Sequence, residues 1–352
     1  MKIAMVAGGS GGHIYPALAL AEELESRGHD ITFIGSNDRM EKDVIPAAGF
    51  KYIGLDIYTT RGGVLQKVKS LFSILSSYRR CLTILKGFDM AIGFGNYISV
   101  PVLKAAKKLK MKTVIHEANS FVGRANRFLD QDVDLVISSY EEDLAQMKNP
   151  HNLLLGNPQA TKAYKVEKDP DFLKKEGLSD DKKTVLIFMG SLGSETVNKA
   201  LLEYFALTDG SYQILYASGR SNYEYAVSHA PKLDHVKIVE RVDGVRAMRS
   251  ADLLISRAGA TTLCEIQAVG IASILVPSPY VPNNHQYHNA MALVDKDAAI
   301  LLEEKDLSAE KLNELVSSVI FDDQRLHSLA ENAKTLGNVD VMKNIVEAIE
   351  NL

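Results

Sequence analysis

The sequence of 352 residues predicts an α/β protein made of two Rossmann-like domains, each built on a parallel sheet. Short apolar runs alternate with helical patterns from end to end, as parallel strands require because each needs a crossover connection. A polar, charged stretch at about 161–183 interrupts the alternation, which then restarts. Each half opens with an apolar run that leads into a glycine-rich loop and a helical pattern. We therefore expect two similar domains that face one another across a cleft.

Six strands are predicted in each half, as short apolar runs bounded by glycine or polar residues. Those of the first half are 2–7, 31–35, 52–55, 89–93, 112–116 and 134–138. Those of the second half are 184–189, 212–216, 236–239, 252–255, 273–276 and 298–301. Three helical patterns follow Leu307, and we expect the last to cross back to the first domain. The predicted boundaries are 1–158, 159–335 and a C-terminal helix at 336–352.

The bulk composition excludes several classes of protein. The chain has 40 Lys and Arg against 44 Asp and Glu, so its net charge of −4 gives no reason to expect a nucleic-acid partner. Cys81 and Cys264 have neither metal-ligand spacing nor a disulfide framework, which fits a reducing cytoplasm. The N-terminus lacks a signal-peptide pattern, and no apolar run reaches the ~18 residues of a membrane span. Any membrane contact is therefore expected to be peripheral.

The first glycine-rich loop, residues 8–13, reads GGSGGH directly after the apolar run 3–7. Glycine lets the backbone approach a ligand closely, and the helix N-terminus behind it favours negative charge. The third glycine of the dinucleotide pattern is absent, and the second strand ends at Gly35 rather than at a carboxylate, so a dinucleotide site is excluded. His13 places a titratable group at the tip of the loop.

In the second half, residues 256–265 follow a predicted strand and enter a helix at Gly259. Such a helix N-terminus suits a phosphate group. Glu265 lies about one turn into the helix, where one carboxylate can accept both hydroxyls of a ribose. Taken alone, Glu265 is better interpreted as an exposed glutamate that complements the helix dipole.

A proline-rich loop at 276–284 enters a helix whose first turn contains His285, Gln286 and His288. Amide and imidazole groups bind sugar hydroxyls well, because they offer donors and acceptors without a full charge. No third ligand accompanies the two histidines, so a metal site is not expected. Capping of the helix by Asn283 or Asn284 is compatible with sugar binding.

Two further loops of the first half end the strands beside the His13 loop, at 93–99 and at 116–119. Because the carboxyl ends of parallel strands converge on one edge of the sheet, these loops are expected to meet the His13 loop. His116 is interpreted as a buried, hydrogen-bonded histidine. Glu117 and Asn119 are the better candidates for ligand contact.

Residues 64–86 combine apolar side chains near helical spacing with basic side chains. Such a helix can lie on an anionic membrane surface. An ordinary core-facing helix with a solvated basic face fits the same pattern. The basic residues in and beside it are Arg61, Lys67, Lys69, Arg79, Arg80 and Lys86.

Taken together, the motifs resemble the MurG family, the bacterial peptidoglycan N-acetylglucosaminyltransferases. The resemblance covers nearly the whole chain and rests on residues 8–19, 116–119, 156–158, 190–193, 256–260 and 285–290, in that order. It implies the glycosyltransferase-B fold. It also implies an inverting transfer of GlcNAc from UDP-GlcNAc to the 4-hydroxyl of MurNAc in lipid I, giving lipid II and UDP at the cytoplasmic face of the membrane. The anionic membrane surface would be contacted through the 61–86 region.

The resemblance further implies individual roles for residues. The catalytic residues would be His13 as the candidate base, with Glu117 and Asn119. Ser10, Gly11 and Gly12 would join Asn119 on the acceptor side. On the donor side, Ser191 and Gly193 would bind the diphosphate, and Val242 would bind uracil. Glu265 would bind the ribose, and His285 and Gln286 would bind the GlcNAc group. No metal or other cofactor is expected, because loop and helix N–H groups can stabilise the UDP leaving group.

The sequence departs from the family at three places. Ala160 stands where the family often has an arginine that touches the diphosphate, and Arg220 or Arg257 could replace it. Asn96 replaces a glycine, and His285 replaces a glutamine.

Other functions remain open at this point. One alternative is a UDP-GlcNAc 2-epimerase of the same fold, and another is a different lipid glycosyltransferase, such as one that acts on diacylglycerol. A non-catalytic nucleotide-sugar sensor is the remaining alternative.

Overall fold

In a computed structural model, the chain forms two compact units. The structure describes residues 1–58, 64–189 and 195–352. In the helix that begins at 64 the side chains are described from residue 69, and in the helix that begins at 195 they are described from residue 197. The first unit comprises Met1–Thr161 and Asp340–Leu352, and the second comprises Lys162–Val339. Each unit contains one sheet in which every strand pair is parallel. The predicted fold class, two parallel-sheet α/β domains, is confirmed.

The first unit has a seven-stranded sheet in the order β3-β2-β1-β4-β5-β6-β7. Its strands are β1 (Lys2–Val6), β2 (Asp30–Ser36), β3 (Lys51–Leu55), β4 (Met90–Gly93), β5 (Lys112–His116), β6 (Leu135–Ser138) and β7 (Asn152–Leu154). Its helices are α1 (Gly11–Ser26), α2 (Glu41–Ala47), α3 (Val64–Ile84), α4 (Ser99–Lys108), α5 (Arg124–Leu129), α6 (Glu141–Leu144), α7 (Gln159–Lys165, which runs into the second unit) and the last helix, α16 (Val341–Glu350).

The six strands predicted in the first half are confirmed, whereas β7 was missed. This edge strand is three residues long, and Leu153 and Leu154 are each 42% exposed. The apolar run at this strand, the three leucines at 153–155, is shorter than the four to eight residues by which a strand is recognised in sequence. Ile3, Ala4, Met5 and Val6 of the central strand β1 are fully buried, as expected for a parallel strand covered on both faces.

The second unit has a six-stranded sheet in the order β10-β9-β8-β11-β12-β13. Its strands are β8 (Thr184–Phe188), β9 (Gln213–Ala217), β10 (Val236–Val239), β11 (Leu253–Ser256), β12 (Ala272–Leu275) and β13 (Ile300–Leu301). Its helices are α8 (Phe172–Lys175), α9 (Glu195–Phe205), α10 (Tyr223–His229), α11 (Gly244–Met248), α12 (Ala260–Val269), α13 (His285–Val294), α14 (Ala309–Ile320) and α15 (Asp323–Thr335). Short 3-10 helices at Asp130–Asp132, Pro282–Asn284 and Glu304–Asp306 complete the two units.

The core of the second unit packs its sheet against α9, α14 and α15. Tyr204 and Tyr212 are buried in it, and their hydroxyls hydrogen-bond each other at 2.7 Å, which satisfies both polar groups. Side-chain caps fix the starts of three helices, because Asp243, Ser308 and Asp322 accept backbone N–H groups three residues ahead. All six strands predicted for this half are present, although β13 is shorter than expected.

The last helix, α16, lies in the first unit, although the chain before it belongs to the second. The backbone N–H of Met342 donates to the hydroxyl of Thr161 at 3.2 Å. Glu350, near the end of α16, lies 3.1 Å from Nε2 of His29, which follows α1. Val341 contacts the site of Gly156: a Cβ on that glycine would lie 3.0 Å from a methyl group of Val341.

A matched pair of glycine variants tests this packing of α16. Gly156 and Gly28 both have left-handed backbones, at φ +92° and +88°, but nothing lies within 4 Å of a Cβ on Gly28. We expect Gly28→Ala to lose about 1 kcal/mol from backbone strain. Gly156→Ala should lose roughly 1 kcal/mol more, because its methyl group displaces Val341. Chemical denaturation of both variants measures the difference, and equal losses would contradict the described contact.

Candidate functional site

The loop after β1 presents the start of α1. Ser10 precedes the helix with an extended backbone, and its carbonyl accepts the N–H groups of His13 at 3.1 Å and Ile14 at 3.2 Å. Its hydroxyl does not cap the helix but lies 3.2 Å from Nδ1 of His13. The N–H groups of Gly11 and Gly12 have no acceptor within the described parts of the chain. The loop therefore offers two backbone donors beside a half-buried imidazole.

A buried glutamate, Glu41, holds this loop from behind. It accepts the N–H of Gly9 at 3.0 Å, and the N–H and hydroxyl of Ser36 at 3.2 and 2.6 Å. Glu41 is 0% exposed, and a Cβ on Gly8 would lie 2.4 Å from its Oε1. Glycine at position 8 is therefore required by an internal carboxylate rather than by a ligand.

The loop after β4 packs against the same region, as expected. The amide of Asn96 donates to the carbonyl of Gly8 at 2.5 Å and accepts the N–H of Ile98 at 2.7 Å. Gly95 has φ +80°, and a Cβ there would lie 3.2 Å from Cδ2 and Nε2 of His13. The imidazole of His13 thus lies between the Ser10 hydroxyl and the backbone of Gly95.

Glu117 is buried and saturated with hydrogen bonds from its own loop. It accepts the backbone N–H and the side-chain amide of Asn119 at 3.0 and 3.1 Å, the N–H of Gly123 at 2.9 Å and the amide of Asn126 at 3.0 Å. Its carboxylate therefore holds the loop and orients Asn119. Asn119 is half-buried, so of this pair it is the residue with an accessible surface.

His116 is buried, as expected from the sequence. Its Nε2 lies 3.1 Å from the carbonyl of Gly156, so this nitrogen carries the proton. The pKa of His116 is lowered to about 4, mainly by burial, and the nearby His13 acts in the same direction, so the imidazole is neutral at physiological pH. Its Nδ1 is buried and has no hydrogen-bond partner among the described residues.

Asp143, which the sequence did not single out, is a buried carboxyl group behind the same loops. The pKa of Asp143 is raised to about 8, mainly by burial, and the charge of Glu117 acts in the same direction. Hydrogen bonds from the Ser138 hydroxyl and from the N–H of Ser139, at 2.9 Å, act in the opposite direction. Asp143 is therefore protonated through the acidic and neutral range.

In the second unit, the loop after β11 contains an internal ion pair. Arg257 donates to the carbonyl of Val276 at 3.0 Å and pairs with Glu304 at 2.6 Å, with both side chains almost fully buried. This pairing disfavours Arg257 as the replacement for the arginine missing at Ala160, because its withdrawal would leave a buried carboxylate unpaired. Ala160 is itself buried, whereas Arg220 is exposed and has no partner within the described residues.

The proline-rich loop after β12 fixes the first turn of α13. The side-chain oxygen of Gln286 accepts the N–H of Ser278 at 2.8 Å, which leaves the NH2 group facing away from that bond. Nδ1 of His285 donates to the carbonyl of Pro282 at 2.9 Å. Asn283 and Asn284 both have left-handed backbones, and neither side chain caps the helix, so the predicted capping is wrong. Asparagine tolerates this conformation, which explains the residue type.

The other predicted donor residues are placed as follows. Glu265 is half-buried in α12, and Val242 is half-buried between β10 and α11. Among the described residues, the backbone N–H and carbonyl of Val242 form no backbone hydrogen bond in the loop where they lie. Both groups are therefore available to bind a ligand. Ser191, Gly193 and Arg61 lie outside the described residues.

Two residues central to this site, Glu41 and Asp143, were not found in the sequence. Each lies among other acidic residues of a short helix, where an acidic side chain ordinarily indicates a solvated surface. The one available signal is the glycine at position 8, whose missing Cβ makes room for Glu41.

A hollow of about 360 Å³ on the second unit lies away from these loops, at the amino ends of β8, β11 and β12. Its Lys183 pairs with Asp323 at 2.8 Å and with Asp252 at 3.4 Å. The polar loops at the carboxyl ends are the better candidate site, because parallel sheets bind ligands at that edge.

Family comparisons agree with this division of the chain. Residues 3–137 match the glycosyltransferase family 28 N-terminal domain, and residues 184–345 match the family 28 C-terminal domain. The crystal structure of Acinetobacter baumannii MurG has a TM-score of 0.83 at 24% identity, covering 100% of this chain and 99% of that one. A UDP-N-acetylglucosamine 2-epimerase structure has a TM-score of 0.67 at 15% identity, with 99% and 95% covered. The family matches and the fold together place this chain in glycosyltransferase family 28.

A full-length relative specifies the family further. The Bacillus subtilis (strain 168) protein is 35% identical over 362 residues, covering 100% of this chain and 99% of the relative. That protein is named UDP-N-acetylglucosamine--N-acetylmuramyl-(pentapeptide) pyrophosphoryl-undecaprenol N-acetylglucosamine transferase. The chain belongs to the MurG family, as the resemblance of its motifs predicted.

The raised pKa of Asp143 predicts a measurable pH dependence of stability. Below its ordinary pKa of 3.8 the carboxyl is protonated in both folded and unfolded states. As the pH rises towards about 8, only the unfolded state ionises, so the folded state loses stability. Asp143→Asn cannot ionise and should therefore be increasingly more stable than the wild type from pH 5 to 8, by up to about 1.4 kcal/mol per pH unit.

Thermal unfolding across this pH range measures the effect. Glu142→Gln is the matched control, because Glu142 is an exposed neighbour on the same helix. Parallel stability curves for the wild type and both variants would refute a protonated Asp143.

Proposed function

We propose that this protein transfers GlcNAc from UDP-GlcNAc to the 4-hydroxyl of the MurNAc of lipid I. The products are lipid II, with a new β(1→4) linkage, and UDP. The observation that supports this proposal most directly is the full-length similarity to the Bacillus subtilis enzyme, whose name states donor and acceptor. The similarity to the 2-epimerase, at 15% identity, concerns the fold alone.

In the proposed mechanism, the first unit binds and activates the acceptor. Nε2 of His13 removes the proton of the MurNAc 4-hydroxyl while that oxygen attacks C1 of the donor sugar. The C1–O bond to UDP breaks in the same step, and its electron pair leaves with the β-phosphate. The N–H groups of Gly11 and Gly12, which have no acceptor among the described residues, suit the diphosphate of the acceptor. Glu117 acts indirectly, because two of its hydrogen bonds come from Asn119 and orient that residue towards the acceptor.

The second unit would bind the donor. The backbone of Val242 has the donor and acceptor that a uracil edge requires, and Glu265 suits the two ribose hydroxyls. The NH2 group of Gln286 and the ring of His285 would bind the GlcNAc hydroxyls. Ser191 and Gly193 remain the predicted diphosphate contacts, and Arg220 replaces the cation missing at Ala160. Developing charge on UDP is thereby stabilised by protein N–H groups and a guanidinium.

We propose further that α3 binds the anionic cytoplasmic face of the membrane. On the first half of this helix the usual pattern is inverted: Ser70 and Ser73 are buried, whereas Leu71 and Phe72 are 68% and 69% exposed. The buried serines are satisfied locally, because the Ser70 hydroxyl donates to Tyr58 and the Ser73 hydroxyl to Ser70. The same helix also exposes Lys69, Arg79 and Arg80, and apolar and basic side chains together are the combination that an anionic lipid surface attracts.

In the second half of α3, Cys81 is buried, and so is Leu85 directly after the helix. A purely core-facing helix would not expose Leu71 and Phe72, so their exposure supports the membrane-facing interpretation of the first half. In the described parts of the chain, no helix is both long and apolar enough to span a membrane. The proposed attachment is peripheral and confined to one helix face.

Activity is tested with purified protein, UDP-GlcNAc and a short-chain lipid I analogue in the presence of a chelator. We expect release of UDP and formation of the disaccharide product. His13→Ala should lower kcat by about 10²–10⁴, the range for loss of a general base, with donor binding by calorimetry nearly unchanged. Formation of UDP-ManNAc from the donor alone, or no transfer to lipid I, would contradict the proposal. Lost donor affinity with normal turnover would make His13 a donor ligand.

Membrane binding is tested by co-sedimentation with phosphatidylglycerol-containing vesicles. Leu71→Ser combined with Phe72→Ser removes two exposed apolar side chains and should weaken binding at least tenfold, because each buried apolar side chain contributes about 1.5–3 kcal/mol. Leu207→Ser, a 47% exposed leucine of the second unit, is the control and should bind normally. Equal binding of all three proteins would exclude α3 as the contact.

A further inference from the structure

We propose that Asn96, in the loop after β4, is a positioning residue that clamps the glycine-rich loop of residues 8–13. Its side-chain amide ties the two loops together, so that the N–H groups of Gly11 and Gly12 and the imidazole of His13 are held in one arrangement before the acceptor binds. The inference rests on the proposed function only in assigning the acceptor to this loop. The clamp itself is a property of the protein without substrate.

Both hydrogen bonds of the Asn96 side chain have a fixed direction. Its oxygen accepts the backbone N–H of Ile98 at 2.7 Å, and its NH2 group donates to the carbonyl of Gly8 at 2.5 Å. A backbone N–H can only donate and a carbonyl can only accept, so exchanging the oxygen and nitrogen of the amide would break both bonds. The two partners therefore orient the amide, which connects positions 88 residues apart in the chain.

The loop that carries Asn96 is anchored without help from the glycine-rich loop. The N–H of Phe94 donates to the carbonyl of Val6 at 2.8 Å, and the Ser99 hydroxyl donates to the carbonyl of Gly95 at 2.6 Å. These bonds attach the loop to the end of β1 on one side and to the start of α4 on the other. Asn96 therefore reaches the glycine-rich loop from a fixed base.

The carbonyl of Gly8 depends on Asn96 for its hydrogen bond. Gly8 is buried, and within the described parts of the chain its carbonyl accepts no other hydrogen bond. A buried carbonyl without a partner is costly, so loss of the amide favours loop conformations that expose this group to water. The N–H of the next residue, Gly9, is held by Glu41 at 3.0 Å. Asn96 thus supplies one of the two side-chain bonds that fix the chain just before α1.

The backbone of Asn96 separates a clamp from a simple turn. Its φ is +60°, in the left-handed region that glycine adopts at less cost than any other residue. If the turn were the whole role of this position, glycine would serve at least as well as asparagine. Asparagine tolerates the conformation and adds the two hydrogen bonds, so a clamp requires the side chain and a turn does not.

The experiment compares Asn96→Gly with Asn96→Asp in the full chain. Glycine keeps the left-handed turn and removes both side-chain bonds. Aspartate keeps the shape and the acceptor for Ile98, but it places an oxygen against the carbonyl of Gly8. Lys110→Gly is the matched control, because Lys110 also has φ +60° and its exposed side chain forms no hydrogen bond or ion pair among the described residues.

Hydrogen–deuterium exchange of the protein without ligand measures the clamp directly. We expect the amides of residues 9–14 to exchange about fivefold faster in Asn96→Gly and faster still in Asn96→Asp, because one hydrogen bond contributes about that factor. Exchange of this segment should be unchanged in Lys110→Gly. Wild-type exchange in Asn96→Gly would overturn the proposal, and this result does not require Asn96→Asp to fold.

Turnover with the lipid I analogue separates positioning from general damage. Asn96→Gly should lower kcat/KM for the acceptor about 5- to 50-fold, with affinity for UDP-GlcNAc changed less than about threefold, because the second unit is assigned to the donor. Asn96→Asp should be lower still, and Lys110→Gly should have normal kinetics. Wild-type acceptor kinetics in Asn96→Gly, or an equal loss of donor affinity, would overturn the proposal. An inactive wild type with the expected exchange pattern would instead refute the proposed function and leave the clamp intact.

Discussion

Two buried carboxylates hold the loops on which the candidate acceptor site depends. Glu41 takes its hydrogen bonds from Gly9 and Ser36, and Glu117 takes four from Asn119, Gly123 and Asn126. A buried charge is costly unless it is fully hydrogen-bonded, so each carboxylate stabilises only the loop conformation that supplies all of its donors. The loops after β1 and β5 are fixed in this way, and the positions of His13 and Asn119 follow from them.

Neutral titratable groups are buried behind the same loops. Burial keeps Asp143 protonated, with its pKa raised to about 8, and keeps His116 neutral, with its pKa lowered to about 4. Neither Asp143 nor His116 therefore adds a charge behind these loops at neutral pH. This arrangement suits a site for a diphosphate-linked acceptor, because an additional buried anion would repel the ligand.

Sequence patterns predicted the sheets well and the side-chain partners poorly. Strands such as β1 and β8 are apolar runs that must be buried on both faces, so periodicity alone found them, whereas the exposed edge strand β7 was missed. Arg257 looked available for a phosphate but is paired with the buried Glu304, and Asn284 looked like a cap but has a left-handed backbone. For Arg257 the deciding neighbour is remote in sequence. For Asn284 the deciding factor is the local backbone conformation.

The sequence by itself determined the two-sheet architecture, the order of the loop motifs and membership of the MurG family, because these depend on periodic burial and on glycine, histidine and amide residues in a fixed order. Tertiary structure alone decided that Glu41 is internal and that Glu117 is saturated. It also decided that the Ser10 hydroxyl faces the imidazole, and that α3 exposes leucine and phenylalanine while burying serine. The physical reason is that burial and hydrogen bonding are properties of the space around a side chain, and that space is assembled from segments far apart along the chain.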